Sequence, residues 1–393
     1  MIIMVSHSAM NEQMPGKLRC RHLKTWPSSA RQTIHNLQEE FMLPISVCMI
    51  AKNESKRIER CLSSLMPYGF EIVVADTGSS DNTREIARRF TDKVFTFEWC
   101  DDFSAARNFS ISKASHDWIF MIDCDEYIKS TDVEELTYFM EHLPHAAGSV
   151  SRENVSGSMD ALDYYTDRTE RLFNRNLYHY TGIIHEQLTP VADGEMECFL
   201  LNTVLFHDGY VMTAREREEK SQRNLSLLLK QSEKEPDNPY VYYQLGKGFE
   251  MAGDYGKSCQ YYARGLSFPL DPSLAYVQSM VVSNGFNLLR LGRFEEALAY
   301  QNIYEDFAGS ADFVYLMGLI YRNNRLYEEA LEEFTKAVTF AFANENGANS
   351  FLAYYEMGNI LALAGDYDLA RECYLQCGDY APALEILKLY ENP

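Results

Sequence analysis

Basic residues are scarce in this chain of 393 residues, which has 36 lysines and arginines against 57 aspartates and glutamates. The net charge of −21 would repel a phosphate backbone, so the composition argues against non-specific nucleic-acid binding. Hydrophobic residues make up 46% of the sequence, a share that is typical of globular proteins and too high for a disordered one. At about 150 residues per domain, the length predicts two or three domains.

Long apolar runs are also missing. The longest uncharged apolar runs, such as 45–51 and 118–122, fall far short of the ~20 residues that a membrane helix needs. The apolar start at residues 1–5 has no basic residue before it and no long apolar segment after it, which is unlike a signal peptide. The sequence therefore predicts a soluble, cytoplasmic protein without a membrane span.

The nine cysteines provide no recognisable framework for disulfides or metal. Their number is odd and no two form a C-x-x-C pair, which argues against a disulfide network and against a cysteine-rich zinc site. Cys48 and Cys124 lie inside apolar runs, so we expect buried, reduced thiols at these positions.

Residues 1–43 are irregular and form a predicted N-terminal extension. Within it, the stretch 30–41 is expected to be either a helical arm that packs on the next domain or a disordered tail, and the sequence leaves both open.

From residue 44 onward, short apolar runs alternate with stretches that have helical spacing. Strands are predicted at 45–51, 71–75, 94–97 and 118–123. Helices are predicted between them at 58–65, from Ser80 or Asp81 through 90, and from Ser104 through 113. Such alternation indicates βαβ units and a largely parallel sheet with helices on both faces, and we assign this domain to residues 44–212. Ligands of such sheets bind at the carboxyl ends of the strands.

The C-terminal part of the chain is repetitive. Residues 213–238 are predicted to form a linker helix, and four glycines follow at Gly246, Gly285, Gly318 and Gly358. Each glycine is followed nine residues later by an aromatic residue, and three residues after that by Ser or Ala. We expect the small residues to let paired helices approach closely and the aromatic residue to fill the gap between them. This pattern is typical of tetratricopeptide repeats, whose period is ~34 residues, so residues 239–393 are predicted to hold about four repeats in a curved helical array.

Polar residues follow the predicted strands. Asp123 and Asp125 come directly after the fourth strand, and two carboxylates at this spacing suit one Mg²⁺ or Mn²⁺ ion, which would typically also hold a diphosphate. Asp76 ends the second strand, where it would accept a hydrogen bond from an imide N–H such as that of uracil. The sequence has neither G-x-G-x-x-G nor G-x-x-x-x-G-K-[ST], which argues against a dinucleotide fold and a P-loop.

Four segments, in this order, resemble the motifs of inverting family-2 glycosyltransferases with the GT-A fold: ISVCMIAKNE, VVADTGSSDNT, DDFSAARNFS and WIFMIDCDE. Three later segments, RLF, YTGIIHE and FHDGY, together with the repeats, resemble the branch that includes the sublancin-type peptide S-glycosyltransferases. The resemblance implies an α/β GT-A domain, Rossmann-like with a mostly parallel sheet, followed by an all-α repeat domain. It also implies a UDP-sugar donor and a Mn²⁺ or Mg²⁺ ion that neutralises the diphosphate.

The resemblance assigns roles to residues on the donor side. Ala51, Lys52 and Glu54 match the stretch that lines the nucleoside pocket. Asp76 matches the acid that contacts the base, and Arg107 matches a residue beside the donor site that would face phosphate.

The same resemblance implies a metal site. Asp123 is expected near the ribose or the ion, Asp125 on the ion, and His207 as a further metal ligand. Arg171 is expected either to hold phosphate or to pair with an acidic neighbour such as Glu170 or Asp167.

An inverting transfer also needs a base that takes the proton of the acceptor, on the face opposite the ion. Glu186 is the predicted base, and its neighbour His185 is the alternative. If both residues lie on a strand, only one of them can face the site, because successive side chains of a strand alternate.

The acceptor suggested by this branch is a Cys or Ser/Thr side chain of a peptide, as in glycopeptide bacteriocins. The helical array would then hold an extended peptide or form a homodimer, and the sequence leaves both open. Two other functions are compatible with the sequence: a soluble glycosyltransferase that acts on a cell-surface glycan precursor, and a scaffold whose nucleotide-sugar domain is inactive. Intact Asp123, Asp125 and Glu186 argue against the scaffold.

Overall fold

The computed structural model describes residues 20–22, 43–158, 161–211 and 214–391. The chain divides into two compact units, one within residues 13–234 and the other within residues 235–393. In the described ranges, no helix is both long enough and apolar enough to cross a membrane. The helical arm or tail predicted at 30–41 lies outside the described residues.

The described residues of the first unit form eleven strands and five α-helices. In chain order, the strands are β1 (Cys20–His22), β2 (Ile45–Ala51), β3 (Glu71–Asp76), β4 (Val94–Thr96), β5 (Trp118–Met121), β6 (Glu126–Ser130), β7 (Ala147–Ser158), β8 (Ala161–Asn174), β9 (Tyr178–Thr181), β10 (Gln187–Pro190) and β11 (Cys198–Val211). The helices are α1 (Ile58–Leu65), α2 (Thr83–Ala87), α3 (Phe103–Ser112), α4 (Val133–His142) and α5 (Ala214–Lys234), and a 3₁₀ turn at Met66–Tyr68 follows α1.

Nine of these strands build one sheet, in the order β1-β11-β7-β8-β5-β2-β3-β4, with β6 paired to β11. Parallel pairs join β2 to β3 and to β5, β3 to β4, and β11 to β1 and to β7. The strand β8 runs antiparallel to β5 and β7, and β6 runs antiparallel to β11. The prediction of a mostly parallel sheet with the GT-A type of architecture is confirmed.

The central strands are buried on both faces, as parallel strands covered by helices are. Along β2, Val47 and Met49 pack into one core cluster with α1, whereas Cys48 packs into a second cluster on the other face with Val73 of β3 and Met121 of β5. Alternate side chains of one strand therefore pack into two hydrophobic cores, one on each face, and this fixes the register of the sheet. Cys48 and Cys124 are buried free thiols, as predicted.

The predicted boundaries of two helices are wrong in detail. The helix α3 begins at Phe103, and its cap is Asp102, whose side chain accepts a hydrogen bond from the backbone N–H of Ala105; the cap is not Ser104. The helix α2 is confined to Thr83–Ala87 and so ends earlier than predicted.

Residues 147–211, for which no strand or helix was predicted, hold the longest strands of the described residues. Strands β7 and β8 form an antiparallel pair, and β11 joins β7 in parallel over most of its length. Many side chains along these strands are polar, so apolar periodicity alone does not reveal them.

The described residues of the second unit form ten α-helices. They are α6 (Pro239–Met251), α7 (Tyr255–Leu266), α8 (Ala275–Arg290), α9 (Phe294–Ala297), α10 (Tyr304–Phe307), α11 (Ala311–Asn323), α12 (Tyr327–Ala337), α13 (Phe351–Ala364), α14 (Tyr367–Leu375) and α15 (Ala381–Glu391), with a 3₁₀ segment at Leu298–Ile303. The predicted all-α repeat domain is confirmed.

The repeats pack through glycine, but the partner aromatic residue differs from the predicted one. A Cβ atom added to Gly318 would lie 2.6 Å from the ring of Phe334, and one added to Gly246 would lie 2.3 Å from the ring of Tyr262. The contacting aromatic stands sixteen positions after the glycine rather than nine, and Tyr367, one of the predicted gap-fillers, is 62% exposed. Glycine is needed at Gly246, Gly318 and Gly358 because the following helix packs a ring directly against the first, whereas a Cβ atom at Gly285 would meet the side chain of Leu316.

Candidate active site

Asp76, the last residue of β3, is completely buried at the carboxyl end of the strand. Its Oδ1 accepts hydrogen bonds from the backbone N–H groups of Gly78 and Ser79, at 3.2 and 3.1 Å. Its Oδ2 is buried and has no hydrogen-bond partner among the described residues. A buried acceptor without a partner is costly, so this oxygen marks a position that a ligand N–H would satisfy.

The loop after β2 is tied to the loop after β3. Asn53, with a φ of 58°, donates its backbone N–H to Ser79 Oγ at 2.9 Å, and its side-chain Oδ1 accepts from the backbone N–H of Ser80 at 2.8 Å. Glu54 adds a backbone bond to Thr83 Oγ1 at 2.8 Å. These bonds hold the two strand ends as one preformed edge.

The predicted nucleoside-binding residues lie along this edge. Ala51 is buried and pairs with Asp76 in the β2–β3 register, whereas Lys52 is exposed. Burial, followed by the charge of Asp125, raises the pKa of Glu54 to about 6.

Asp123 lies just after β5 and is held by two arginines. Its Oδ1 lies 2.9 Å from Nη1 of Arg107, on α3, and its Oδ2 accepts a 3.0 Å hydrogen bond from Nη2 of Arg171, on β8. Burial acts to raise the pKa of Asp123, but the two guanidinium groups outweigh it and hold that pKa well below its usual range. Asp123 is therefore a permanently charged anchor for two cations.

Asp125 faces His207 instead. Its Oδ2 lies 3.3 Å from Nε2 of His207, on β11, and Nδ1 of that histidine lies 2.8 Å from Oδ1 of Asn154, on β7. The Asn154 amide group donates to the carbonyl of Arg152 at 3.1 Å, which orients its oxygen toward the histidine. With Nδ1 of His207 directed at the Asn154 oxygen, Nε2 is the ring nitrogen that faces Asp125.

The electrostatics of Asp125 follow from this contact. Burial acts to raise the pKa of Asp125, but the hydrogen bond and charge of His207 lower it below the usual range. In the ranges described above, no three His, Cys, Asp or Glu side chains are already grouped as metal ligands. Asp125 and His207 fit two ligands of a divalent ion, one oxygen and one nitrogen, whereas Asp123 is engaged by arginines.

Glu186 joins this cluster from the loop between β9 and β10. Arg107 donates from Nε to Glu186 Oε1 at 2.5 Å while its Nη1 contacts Asp123, so one guanidinium bridges the two carboxylates. The side chain of Glu186 is 12% exposed, whereas His185 is an exposed residue with a φ of 52°. The premise that both lie on a strand is wrong, because the chain bends here before β10 begins at Gln187.

Arg171 is buried and pairs with carboxylates, but not with the neighbours that the sequence suggested. Its Nη2 donates to Glu126 Oε1 at 2.6 Å as well as to Asp123. Asp167 instead binds Arg152 through two hydrogen bonds of 2.9 and 2.6 Å. The pairing of Arg171 with Asp167 was therefore a wrong expectation, since side chains of one strand that are four residues apart lie too far along it to meet.

The sequence interpretation missed Glu126 and Arg152. Glu126 is completely buried, and besides its arginine contacts its Oε2 accepts from the backbone N–H of Asp123 at 2.9 Å. It thereby fixes the turn that carries the two aspartates. The signal was present in the letters DCDE, whose last acid directly follows the D-x-D pair.

Comparison with known proteins gives two family matches. Residues 46–205 match glycosyl transferase family 2, and residues 311–344 and 352–384 match the tetratricopeptide repeat.

The chain is also similar to curated proteins, among them the following two. A tetratricopeptide repeat-containing protein of Synechococcus elongatus is 29% identical over 233 residues, which is 57% of this chain and 57% of that protein. The SPbeta prophage-derived glycosyltransferase SunS of Bacillus subtilis is 30% identical over 216 residues, 53% of this chain and 50% of SunS. The chain thus spans about half the length of the curated relatives it matches. Among solved structures, a MamA fragment from Desulfovibrio magneticus RS-1 aligns with a TM-score of 0.35 and 20% identity, covering 45% of this chain and 91% of MamA.

Proposed function

We propose that this chain, which carries a family-2 glycosyltransferase domain followed by C-terminal tetratricopeptide repeats, moves a hexose from a UDP-sugar to a peptide side chain with inversion at the anomeric carbon and with the help of a divalent ion. One observation carries the proposal. Asp76, Asp123, Asp125 and Glu186 come together at one edge of the sheet, and the second and last of them share a single arginine. Ligands of such sheets bind at this edge.

The nucleoside would bind at the Asp76 end of the edge. The unpartnered Oδ2 of Asp76 is suited to accept the imide N–H of a uracil, which neither a cytosine nor an unprotonated adenine ring offers at that position. The exposed Lys52 and the half-buried Glu54 lie on the adjoining loop and would contact the ribose or the base.

The diphosphate would lie nearer Asp125. Asp125 and His207 would hold Mn²⁺ or Mg²⁺ there, and the ion would neutralise the charge that develops on the departing diphosphate. Asp123 acts through its arginines, since it fixes Arg107 and Arg171 in place beside the donor. Glu126 stabilises that arrangement because its carboxylate accepts hydrogen bonds from the backbone N–H of Asp123 and from Arg171.

Glu186 is the proposed base. It takes the proton from the acceptor O–H or S–H group while the acceptor atom bonds to the anomeric carbon and the bond from that carbon to the phosphate oxygen breaks, releasing UDP. Arg107 orients the Glu186 carboxylate through its 2.5 Å hydrogen bond. Arg107 lies between Glu186 and Asp123. The proposed base is thereby separated from the donor phosphates.

A peptide acceptor is supported by the motifs shared with peptide S-glycosyltransferases and by the repeats, which in general present extended surfaces for peptides. The acceptor would offer a Cys thiol or a Ser/Thr hydroxyl group. The same site chemistry would also serve a glycan-precursor acceptor, so the experiment includes both classes.

The test is a UDP-release assay on the full chain with a panel of UDP-sugars, with and without Mn²⁺, followed by mass spectrometry of Cys- and Ser-containing peptides and of glycan precursors. We expect metal-dependent UDP release and a hexose mass increment on a peptide. Asp125→Asn should lose at least about a hundredfold in rate, in line with the several kcal/mol that a catalytic ion contributes, while the exposed Asp117→Asn control retains activity. If no UDP-sugar is turned over, the scaffold interpretation replaces the enzyme; a hexose on glycans alone reassigns the acceptor.

A further inference from the structure

The proposed base lies in a hairpin that stands apart from the main sheet. Strands β9 and β10 form a separate two-stranded antiparallel sheet, and Glu186 belongs to the loop that joins them. Two residues of this loop, Gly182 and His185, have positive φ angles of 93° and 52°, so the chain turns sharply there. No described strand of the nine-stranded sheet pairs with this hairpin. Contacts of another kind must therefore fix the base relative to the aspartates.

The helix α3 supplies such a contact through the side chain of Asn108. The Oδ1 atom of Asn108 accepts a hydrogen bond from the backbone N–H of Tyr180, on β9, at 3.0 Å. The Nδ2 atom of Asn108 donates to the backbone carbonyl of the same residue at 2.8 Å. One side-chain amide thus satisfies both main-chain groups of Tyr180, as a neighbouring strand would. Asn108 therefore fixes β9 against α3 at this residue.

The residue before Asn108 reaches the same hairpin. The guanidinium carbon of Arg107 lies 5.5 Å from the centroid of the Tyr180 ring, within the range of a cation–π contact. The Nε atom of Arg107 donates to Glu186. The Tyr180 ring is itself held in place, because it is buried and packs edge-on against the ring of Phe173 at a centroid distance of 5.8 Å. Two adjacent residues of α3 thus bind the backbone and the ring of one tyrosine.

A third contact joins α3 to the loop that carries the base. The backbone N–H of Phe103 donates to the carbonyl of Ile183 at 2.8 Å. A change of side chain leaves this backbone bond in place, and a change of Arg107 would also disturb its ion pair with Asp123. Asn108 is therefore the attachment that a substitution can remove while both arginine ion pairs stay intact.

We propose that Asn108 is a positioning residue for the base: through Tyr180 it fixes the β9–β10 hairpin, and thereby the place of Glu186 beside the acceptor. The inference rests on the proposed function, in which Glu186 takes the acceptor proton. Asn108 itself touches neither substrate on this account. A general base must lie within about 3 Å of the proton that it takes, so a displacement of about 1 Å is enough to slow the transfer strongly.

The test is a double-mutant cycle on the full chain, measured as UDP release with the UDP-sugar of the panel that wild type turns over. The variants are Asn108→Ala, Glu186→Gln and the two combined. Asn108→Ala should lower the turnover number by about ten- to hundredfold. In the Glu186→Gln background the same change should alter the rate by less than about twofold, because the base that Asn108 positions is already gone.

Binding of UDP with Mn²⁺, measured by calorimetry, separates positioning from a general loss of structure. Asn108→Ala should bind UDP within about threefold of wild type, because the proposed nucleoside and metal contacts lie outside the hairpin. Asn108→Asp keeps the size of the side chain and the oxygen that accepts from Tyr180, but it turns a second oxygen toward the Tyr180 carbonyl. It should therefore lose at least as much turnover as Asn108→Ala. Asn176→Ala, at an exposed asparagine just before β9, is the control and should behave as wild type.

The outcomes separate this inference from the function on which it rests. If wild type turns over no UDP-sugar, the proposed function fails. If wild type is active and either variant of Asn108 turns over as fast as wild type, the inference is overturned. It is also overturned if the losses of Asn108→Ala and Glu186→Gln multiply in the combined variant, or if Asn108→Ala loses UDP affinity to the same extent as turnover.

Discussion

The two units of this protein are stabilised by different kinds of contact. In the first, charged side chains far apart in sequence meet at the end of a sheet: Arg107 and Glu186 are 79 residues apart, and Asp123 and Arg171 are 48 apart. In the second, glycines and aromatic rings of adjacent helices meet after sixteen residues, as Gly318 and Phe334 do. Removing charged groups from water costs free energy, whereas close packing between helices stabilises the fold. Only the first arrangement therefore calls for a functional explanation.

This contrast predicts that the two units respond to different kinds of substitution. The first should be sensitive to the loss of a charge and the second to the gain of a methyl group. All three tryptophans, Trp26, Trp99 and Trp118, precede the second unit, so tryptophan fluorescence reports on the first unit alone.

The largest effect is expected at Glu186. Glu186→Gln keeps the size of the side chain but removes the base, so the turnover number should fall by about 10²–10⁴ while UDP affinity stays within about threefold of wild type. Steady-state kinetics and calorimetry measure the two quantities. Glu153→Gln, at a partly exposed glutamate on β7 that pairs with Lys129, is the control and should be as active as wild type. A fully active Glu186→Gln variant would assign the base to another residue, with His185 the first alternative.

The next largest effect is on folding. Arg171→Met removes the buried partner of Glu126 and Asp123 and should lower the free energy of unfolding by about 3–5 kcal/mol, because it leaves charge uncompensated in the interior. Urea unfolding followed by tryptophan fluorescence measures this. Lys129→Met, which breaks an exposed ion pair with Glu153, should cost less than about 1 kcal/mol. Equal losses in the two variants would show that burial does not set the cost.

In the second unit, the sign of a glycine substitution should depend on the neighbouring ring. Gly318→Ala forces a Cβ into the ring of Phe334 and should cost about 1–3 kcal/mol. The matched control is Gly256→Ala, also within a helix, where the nearest atom lies 3.7 Å away and where alanine should stabilise by about 0.5–1 kcal/mol.

Hydrogen exchange of peptides from α7, α11 and α12 measures these changes where they occur. Opposite signs in the two variants would support packing between adjacent helices as the basis of the repeats. Stabilisation by both would contradict it.

The smallest effect concerns a charge of the first unit that lies away from the site. Glu71, at the start of β3, accepts hydrogen bonds from Ser46 Oγ and from the backbone N–H of Ser115, and it forms an ion pair with Lys93. Burial acts to raise the pKa of Glu71, but these partners lower it to about 2.

Because this pKa is lower in the folded protein than in the unfolded chain, the contribution of Glu71 to stability is present above about pH 4.5 and is lost as the pH falls toward 2. With a discount for solvent screening, Glu71→Gln should cost about 1 kcal/mol at pH 7. The difference from wild type should shrink when fluorescence-monitored unfolding is repeated between pH 5 and pH 3. A difference that does not change with pH would show that packing, rather than charge, accounts for it.

Much of the architecture could be predicted from local sequence. The strand at 45–51 and the helix at 58–65 have the predicted bounds, because apolar runs and helical spacing are local signals. Strands β7, β8 and β11 were missed because their stability comes from pairing along the sheet rather than from a periodic apolar face. In the repeats, the small residues were predicted correctly and the aromatic partner was not, since two candidates recur at different spacings.

The candidate site, like the fold, could be predicted only in part from local sequence. That Asp76, Asp123 and Asp125 lie at strand ends follows from the sequence. That Arg107 joins Asp123 to Glu186 does not, because it requires the position of a loop nearly eighty residues away.

The central claim is that the Asp125 edge of the sheet binds a divalent ion together with a nucleoside diphosphate, and electron paramagnetic resonance of Mn²⁺ tests it most directly. The spectrum of free Mn²⁺ is recorded with the full chain, before and after addition of UDP, for wild type and for Asp125→Asn. The account predicts that the free signal falls by about one equivalent per chain in wild type with UDP, beyond the effect of UDP alone, and does not fall in the variant. An equal signal for wild type and variant would contradict it.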